Sequence, residues 1–283
     1  RRFCYQQKYS NQVQRVKIEL KGRWAIHIDI EGFGALYGRE SEIMVALRQL
    51  MEGICNIGCR CYPILSDALF AHQMGDGFII VSNFPEDTLH RPVAIALALL
   101  RHVASSGRFA KAAISEGGFE DISGCYPALV PRNAIARTND KPGEEPGVFE
   151  RVNKRVKEYS HDSLTYRLGD GLMTLFPVMG TALIRAVGVA KKCPSGPLMA
   201  VSEEYRGRLP DGLRIHEVTD RGLIVIDWIH SENELAISIA SSARLNSPTP
   251  EDLRSRLQSY CQTQPVTHIW KESVPLFLGV TVT

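Results

Sequence analysis

Trp24-Ala-Ile-His-Ile-Asp-Ile-Glu-Gly-Phe-Gly34 is the stretch on which the fold turns. Its first seven residues are rich in β-branched side chains and read as a strand; Glu31-Gly-Phe-Gly34 is the turn that ends it. Downstream, Glu40 to Ile54 places Ile43, Leu47, Leu50 and Ile54 at helical spacing. Ala68 to Met74 and Phe78 to Ser82 flank Gly75-Asp-Gly77, the pattern of a hairpin with Asp76 at its tip. Glu86 to Ser105 reads as a helix with Pro92 in its early turns, and Ala110 to Ser115 as another strand. The order β-α-β-β-α-β predicts an α/β (α+β) domain on a ferredoxin-like, split βαβ sheet.

Further along, Lys141 to Gly147 is rich in Pro, Gly and Glu, and Val148 to Tyr159 reads as a highly charged helix. Residues 127–165 are therefore read as an insertion. A strand pair follows around Gly169-Asp-Gly171, from Tyr166 to Phe176, then a helix from Thr181 to Lys192 and strands from Leu198 to Ser202 and from Gly222 to Ile229. This divides the chain into an N-terminal segment (1–23), a main domain (24–230) and a C-terminal extension (231–283) with a surface helix over Pro250 to Gln262.

At 283 residues the chain suits one main core. Its 44% hydrophobic and 23% charged residues leave no compositional case for disorder or a fibrous repeat. A formal charge of +2 with dispersed basic residues argues against a nucleic-acid partner. The longest apolar run, Val93 to Leu100, is too short to cross a bilayer, and the start Arg-Arg-Phe-Cys-Tyr lacks the apolar core of a signal peptide. The expectation is a cytoplasmic protein without membrane contact, and a first residue other than Met suggests that a few residues precede it. Seven scattered cysteines fit a reducing compartment. Cys55, Cys59 and Cys61 form no C-x-x-C pair and are expected to be buried free thiols.

Asp29 ends the first strand and Asp76 tips the neighbouring hairpin. In a split βαβ sheet those strands are adjacent, so the two carboxylates can face each other. Hard divalent cations take oxygen ligands, and Mg²⁺ is typically held by one or two carboxylates plus substrate phosphates. Two such ions lower the pKa of an attacking hydroxyl and neutralise a leaving phosphate. Gly32 and Gly34 permit close backbone approach, and the next helix points N-terminal amides at anionic groups. Asp170, also in a Gly-Asp-Gly, has no comparable strand before it and reads as a turn residue.

Asp29-Ile-Glu-Gly-Phe33 matches the D-I-x-G-F motif of class III nucleotidyl cyclases, and Gly75-Asp76 matches that family's second metal aspartate. Gly180-Thr-Ala-Leu-Ile-Arg-Ala186 followed by Leu198-Met-Ala-Val-Ser-Glu203 resembles the family's late helix and I-L-V-S-E strand. The resemblance implies an enzyme that closes a nucleoside triphosphate into a 3',5'-cyclic nucleotide, with two Mn²⁺ or Mg²⁺ ions on Asp29, Asp76 and the Ile30 carbonyl. It also implies a homodimer whose two sites are shared between protomers.

The sequence departs from the family in two places. The late-helix asparagine and arginine that hold ribose and transition-state phosphate align with Ile184 and Gly188. Arg185, or Asn133 and Arg137 in the insertion, is left to supply the cation. The adenine-reading lysine and aspartate align with His72 and Pro177, so a purine edge would go unread. The chain looks closer to the bacterial pyrimidine cyclases of antiphage Pycsar signalling, which implies UTP as substrate and a separate effector activated by the cyclic nucleotide. Phe33 and Tyr37 are candidates to shorten the base pocket. A purine cyclase with an atypical pocket and a non-catalytic cyclase-like module are the alternatives. A palm polymerase or dinucleotide cyclase is remote, because no G-G-D-E-F run occurs.

Overall fold

A computed structural model describes residues 22–32, 40–121, 165–168, 171–174 and 178–282. Phe33, Gly34, Tyr37, Asn133, Arg137, the charged stretch 148–159, Asp170 and Pro177 lie outside the described residues.

The first strand, β1 (Arg23–Ile30), sends successive side chains to opposite faces of the sheet. Trp24, Ile26, Ile28 and Ile30 enter the main core, while Ala25 enters a second, smaller cluster on the opposite face. One residue of register slip would exchange those faces, so the alternation fixes the pairing. Helix α1 (Glu40–Cys61) follows, then the hairpin of β2 (Leu69–Met74) and β3 (Gly77–Pro85), helix α2 (His90–Ala104) and β4 (Ala110–Gly117). β1 lies between β3 and β4, antiparallel to both, and β2 pairs with β3. The predicted split βαβ sheet is present.

Short strands β5 (Glu120–Asp121), β6 (Thr165–Leu168), β7 (Gly171–Thr174) and β8 (Val178–Met179) come next; β6 and β7 are the expected strand pair. Helix α3 (Thr181–Lys192) leads to β9 (Met199–Ser202), parallel to β4, and to the hairpin of β10 (Ile215–Val218) and β11 (Leu223–Ile226). The full sheet runs β10-β11-β9-β4-β1-β3-β2. Three helices complete the chain: α4 (Glu234–Ser242), α5 (Pro250–Thr263) and α6 (His268–Leu278).

Helix α2 is apolar and buried throughout Pro92 to Leu100: it packs on β1 and β4 and is covered by α1, α4 and α5. The helix expected at the surface over 250–262 is α5, and it sinks Leu253, Leu257 and Tyr260 into the main core, joined there by Trp270 and Val274 of α6. Residues 231–282 thus contribute to the core of the sheet. Strand β10 and helices α4 and α6 were not anticipated, and the last strand ends at Ile226, where the amide of Asp227 turns to the Arg214 carbonyl.

One expectation is corrected. Cys55 and Cys59 are exposed and Cys61 is half-buried, because α1 runs on past Ile54 and turns those positions outward. The apolar face of α3 is covered within the chain: Ala182, Leu183 and Ala186 pack on Ala25, Ile79 and Val81. What α3 leaves exposed is Ile184, at 72%.

Candidate functional site

On the α3 side of the sheet, helix α3 covers Ala25, and further along β1 His27 and Asp29 are half-buried on that same face. The hairpin joining β2 to β3 has a two-residue turn, Gly75-Asp76, closed by the pairing of Met74 with Gly77. Gly77 is also the cross-strand partner of Asp29. A Cβ at Gly77 would stand 2.6 Å from the Ile28 carbonyl oxygen and 2.7 Å from Asp29 Oδ1. The absent side chain is what lets the hairpin bring Asp76 up to Asp29.

The two carboxyl groups stand close enough to share a hydrogen bond when one of them carries a proton. Asp29 is pushed up to about 7, by burial first and then by the charge and hydrogen bond of Asp76; Glu31 adds to the rise and Lys111 opposes it. Two oxygen-donor groups that repel unless a cation or a proton lies between them are the donor set a hard divalent ion requires. The site residues therefore fit the implied metal. Among the described residues no group of three or more His, Cys, Asp or Glu side chains gathers into a protein-only cage. Ile30 is 2% exposed with its side chain in the core, which leaves its main chain as the part that could serve the site.

Three residues around this pair were not singled out in the sequence. Lys111 of β4 is the other cross-strand neighbour of Asp29, and its ammonium lies 3.5 Å from Glu31 Oε1. Glu31 sits in the turn after β1; burial raises its carboxyl, against the lowering effect of Lys111, the Trp270 indole and the Gly196 amide. His27 is lowered by burial, and its Nδ1 has no hydrogen-bond partner. The available signals were period and pairing: His27 lies two positions before Asp29, and Lys111 is the second residue of the strand that a split βαβ sheet places beside β1.

His72 is on β2, one row from the carboxylates, and both it and His27 pair with Ile79. Its ring centroid is 6.3 Å from that of Phe119. Gly32 adopts φ +83, open to glycine at no steric cost, and a Cβ there would also meet the Tyr260 hydroxyl at 2.8 Å. Arg185 is elsewhere: its Nη1 donates to the Glu116 carbonyl at 3.2 Å. Glu116 pairs with Trp24 whereas Lys111 pairs with Asp29. Five residues of strand at ~3.4 Å each put Arg185 about 17 Å from the aspartates of its own chain. A cavity of about 190 Å³ lies behind the β1 turn, between Gly32, Tyr260, Thr267 and Trp270. It is below the ~300 Å³ at which small-molecule pockets begin, and Glu31 lines it together with these residues.

No protein-family model matches the chain, and a search of curated proteins gives no match. Among solved structures, the chain is similar to the adenylyl cyclase CyaB from P. aeruginosa, with 8% identity, 72% of this chain and 93% of that one covered, and a TM-score of 0.40. A likeness that slight has no bearing on function, which rests on the residues themselves. No helix among the described residues is long and apolar enough to cross a membrane.

Proposed function

We propose that the chain is a nucleotide cyclase that converts a nucleoside triphosphate, UTP before others, into its 3',5'-cyclic monophosphate and pyrophosphate. The observation that carries this reading is the contact between Asp29 and Asp76, made possible by Gly77 and set within D-I-x-G-F and Gly-Asp-Gly. Asp29, Asp76 and the Ile30 carbonyl would hold two divalent ions, Mn²⁺ or Mg²⁺. Bound there, the ions would activate the 3'-hydroxyl and offset charge on the leaving pyrophosphate.

The chain's own groups divide the remaining work. Lys111 supplies a cation beside the carboxylates, suited to the triphosphate as a point charge. Gly32 lets the phosphates approach the main chain. The base would lie toward His72 and Phe119, where an imidazole stands in place of the adenine-reading lysine. A buried base edge left unread costs about 1–3 kcal/mol, or roughly 5- to 150-fold in specificity against ATP. With Arg185 about 17 Å away in its own chain, a cation from α3 would reach the site only from a second copy, which supports a homodimer with shared sites. The cyclic product would serve as a second messenger in antiphage defence, read by a separate effector.

One observation favours a second reading. Ile184 is 72% exposed where the family places its ribose-binding asparagine, which suits a cyclase-like module without turnover. Incubation with UTP, CTP, ATP and GTP at equal concentration and Mn²⁺, with products identified by mass, separates the readings. Cyclic UMP is the expected dominant product, lost in Asp29→Ala and Asp76→Ala by at least about 100-fold. Cyclic AMP or cyclic GMP as the main product would refute the pyrimidine assignment. No cyclic product from any triphosphate would leave the non-catalytic module.

A further inference from the structure

The Glu31 carboxylate is shared by groups from three parts of the chain. Lys111 of β4 approaches Oε1 at 3.5 Å, the Trp270 indole N–H of α6 donates to Oε2 at 3.2 Å, and the Gly196 amide donates as well. Glu31 and Lys111 expose only 16% and 12% of their side chains, and Trp270 is 3% exposed. The indole has little freedom to leave: its ring stacks on Tyr260 at 5.4 Å, and its backbone amide is capped by Thr267. Trp270 therefore meets the turn of β1 from α6, a helix outside the sheet that carries Asp29 and Lys111.

The lysine has two possible partners. Paired with Glu31 it is withheld from a phosphate; released, it faces the strand that carries Asp29. An acceptor that already receives two N–H donors holds a third, cationic donor less firmly than one that does not. The indole N–H thus weakens the hold of Glu31 on Lys111.

We propose that Trp270 and Glu31 are positioning residues that set how far Lys111 is free to reach the triphosphate, so that helix α6 tunes substrate affinity at a site built on β1 and β4. This rests on the reading of Lys111 as a phosphate-binding group. Glu31→Gln removes the competing charge but keeps an amide oxygen for the indole, and Trp270→Phe removes the N–H but keeps a ring on Tyr260.

The two variants should move affinity in opposite directions. Calorimetric titration of the full chain with inorganic tripolyphosphate and Mg²⁺ reads this without needing a base or turnover. Glu31→Gln should bind roughly two- to fivefold more tightly and Trp270→Phe about twofold more weakly, the scale of one partly exposed charge contact. In turnover the same shifts should appear in KM with kcat little changed. Both effects should vanish in a Lys111→Gln background. Shifts in the same direction, or shifts that persist without Lys111, would overturn the proposal in favour of a purely structural network. Failure of the wild-type chain to bind tripolyphosphate would overturn it together with the phosphate role of Lys111. Tripolyphosphate binding with the expected shifts but no cyclic product would sustain it and remove the cyclase reading alone.

Discussion

Gly77→Ala probes the closest approach in the candidate site. The added Cβ would lie 2.6 Å from the Ile28 carbonyl oxygen, 2.7 Å from Asp29 Oδ1 and 3.1 Å from Asp29 Cα, whereas ordinary contact begins near 3.4 Å. Two of those atoms are main chain and cannot rotate away. Strand β3 is held between β1 and β2, so it cannot step aside without stretching a ladder. The β1–β3 spacing must open by up to roughly 0.8 Å or the hairpin must tilt, at a cost of about 1–3 kcal/mol for overpacking. Gly77 does not have a positive φ, so the backbone itself accepts alanine and the loss is steric. Opening the pair separates Asp29 from Asp76 by a comparable distance, and a ~1 Å misplacement can cost about 100-fold in rate. The control is Gly222→Ala in the β10–β11 hairpin, where φ is +62 and nothing stands within 4 Å. It should lose about 1 kcal/mol from backbone strain and keep full activity. Urea denaturation of both variants, paired with Mn²⁺-dependent product formation, separates the two kinds of loss. Wild-type stability together with wild-type turnover in Gly77→Ala would refute the reasoning.

Two further outcomes follow from the same geometry. Asp29 titrates near 7 in the folded chain against an ordinary 3.8, so the folded state keeps a proton that the unfolded state releases. That contribution to stability is full below about pH 4 and is lost as pH rises toward 7, by about 1–2 kcal/mol once screening of a half-exposed carboxylate is allowed for. Metal-free thermal melts across this range should show the decline in the wild type and a flatter profile in Asp29→Asn; equal slopes would contradict the carboxyl–carboxyl contact. Mixing Asp29→Ala with Arg185→Ala chains, each inactive alone, should restore turnover if α3 of one copy completes the site of another. No recovery in mixtures shown by light scattering to contain dimers would exclude Arg185 as the shared cation.

The fold was legible where hydrophobic period and turn chemistry agreed. β1 reads as a strand because its β-branched residues alternate, and that alternation is what divides Ile26 and Ile28 from Ala25 in the packed structure. The β2–β3 hairpin announced itself through Gly75-Asp-Gly77. The C-terminal third was harder, for a physical reason. In α6, Trp270, Val274 and Phe277 are buried at helical spacing, but Pro275 lies among them and argues against a helix on local grounds. The segment is anchored from outside, by the Trp270 indole on Glu31 and by burial of Trp270, Val274 and Phe277 in the main core. Tertiary contact decides there, and no window of sequence contains it.

The site divides along the same line. Asp29 and Asp76 could be paired from sequence because each ends or tips a regular element and the split βαβ order makes those elements neighbours. Lys111 and Trp270 could not be recognised, since neither belongs to a motif and their importance arises only when β4 and α6 bring them to one carboxylate. Arg185 shows the limit from the other side. Its position on α3 is what the sequence suggested, yet the helix sits over the Glu116 end of β4 while the carboxylates stand at the Lys111 end. A cation about 17 Å from the carboxylates of its own chain cannot stabilise charge developing beside them, since screening over that span exceeds a Debye length of ~8–10 Å. A catalytic α3 therefore requires a second copy, and a lone chain would have to rely on Lys111 for positive charge at the phosphates.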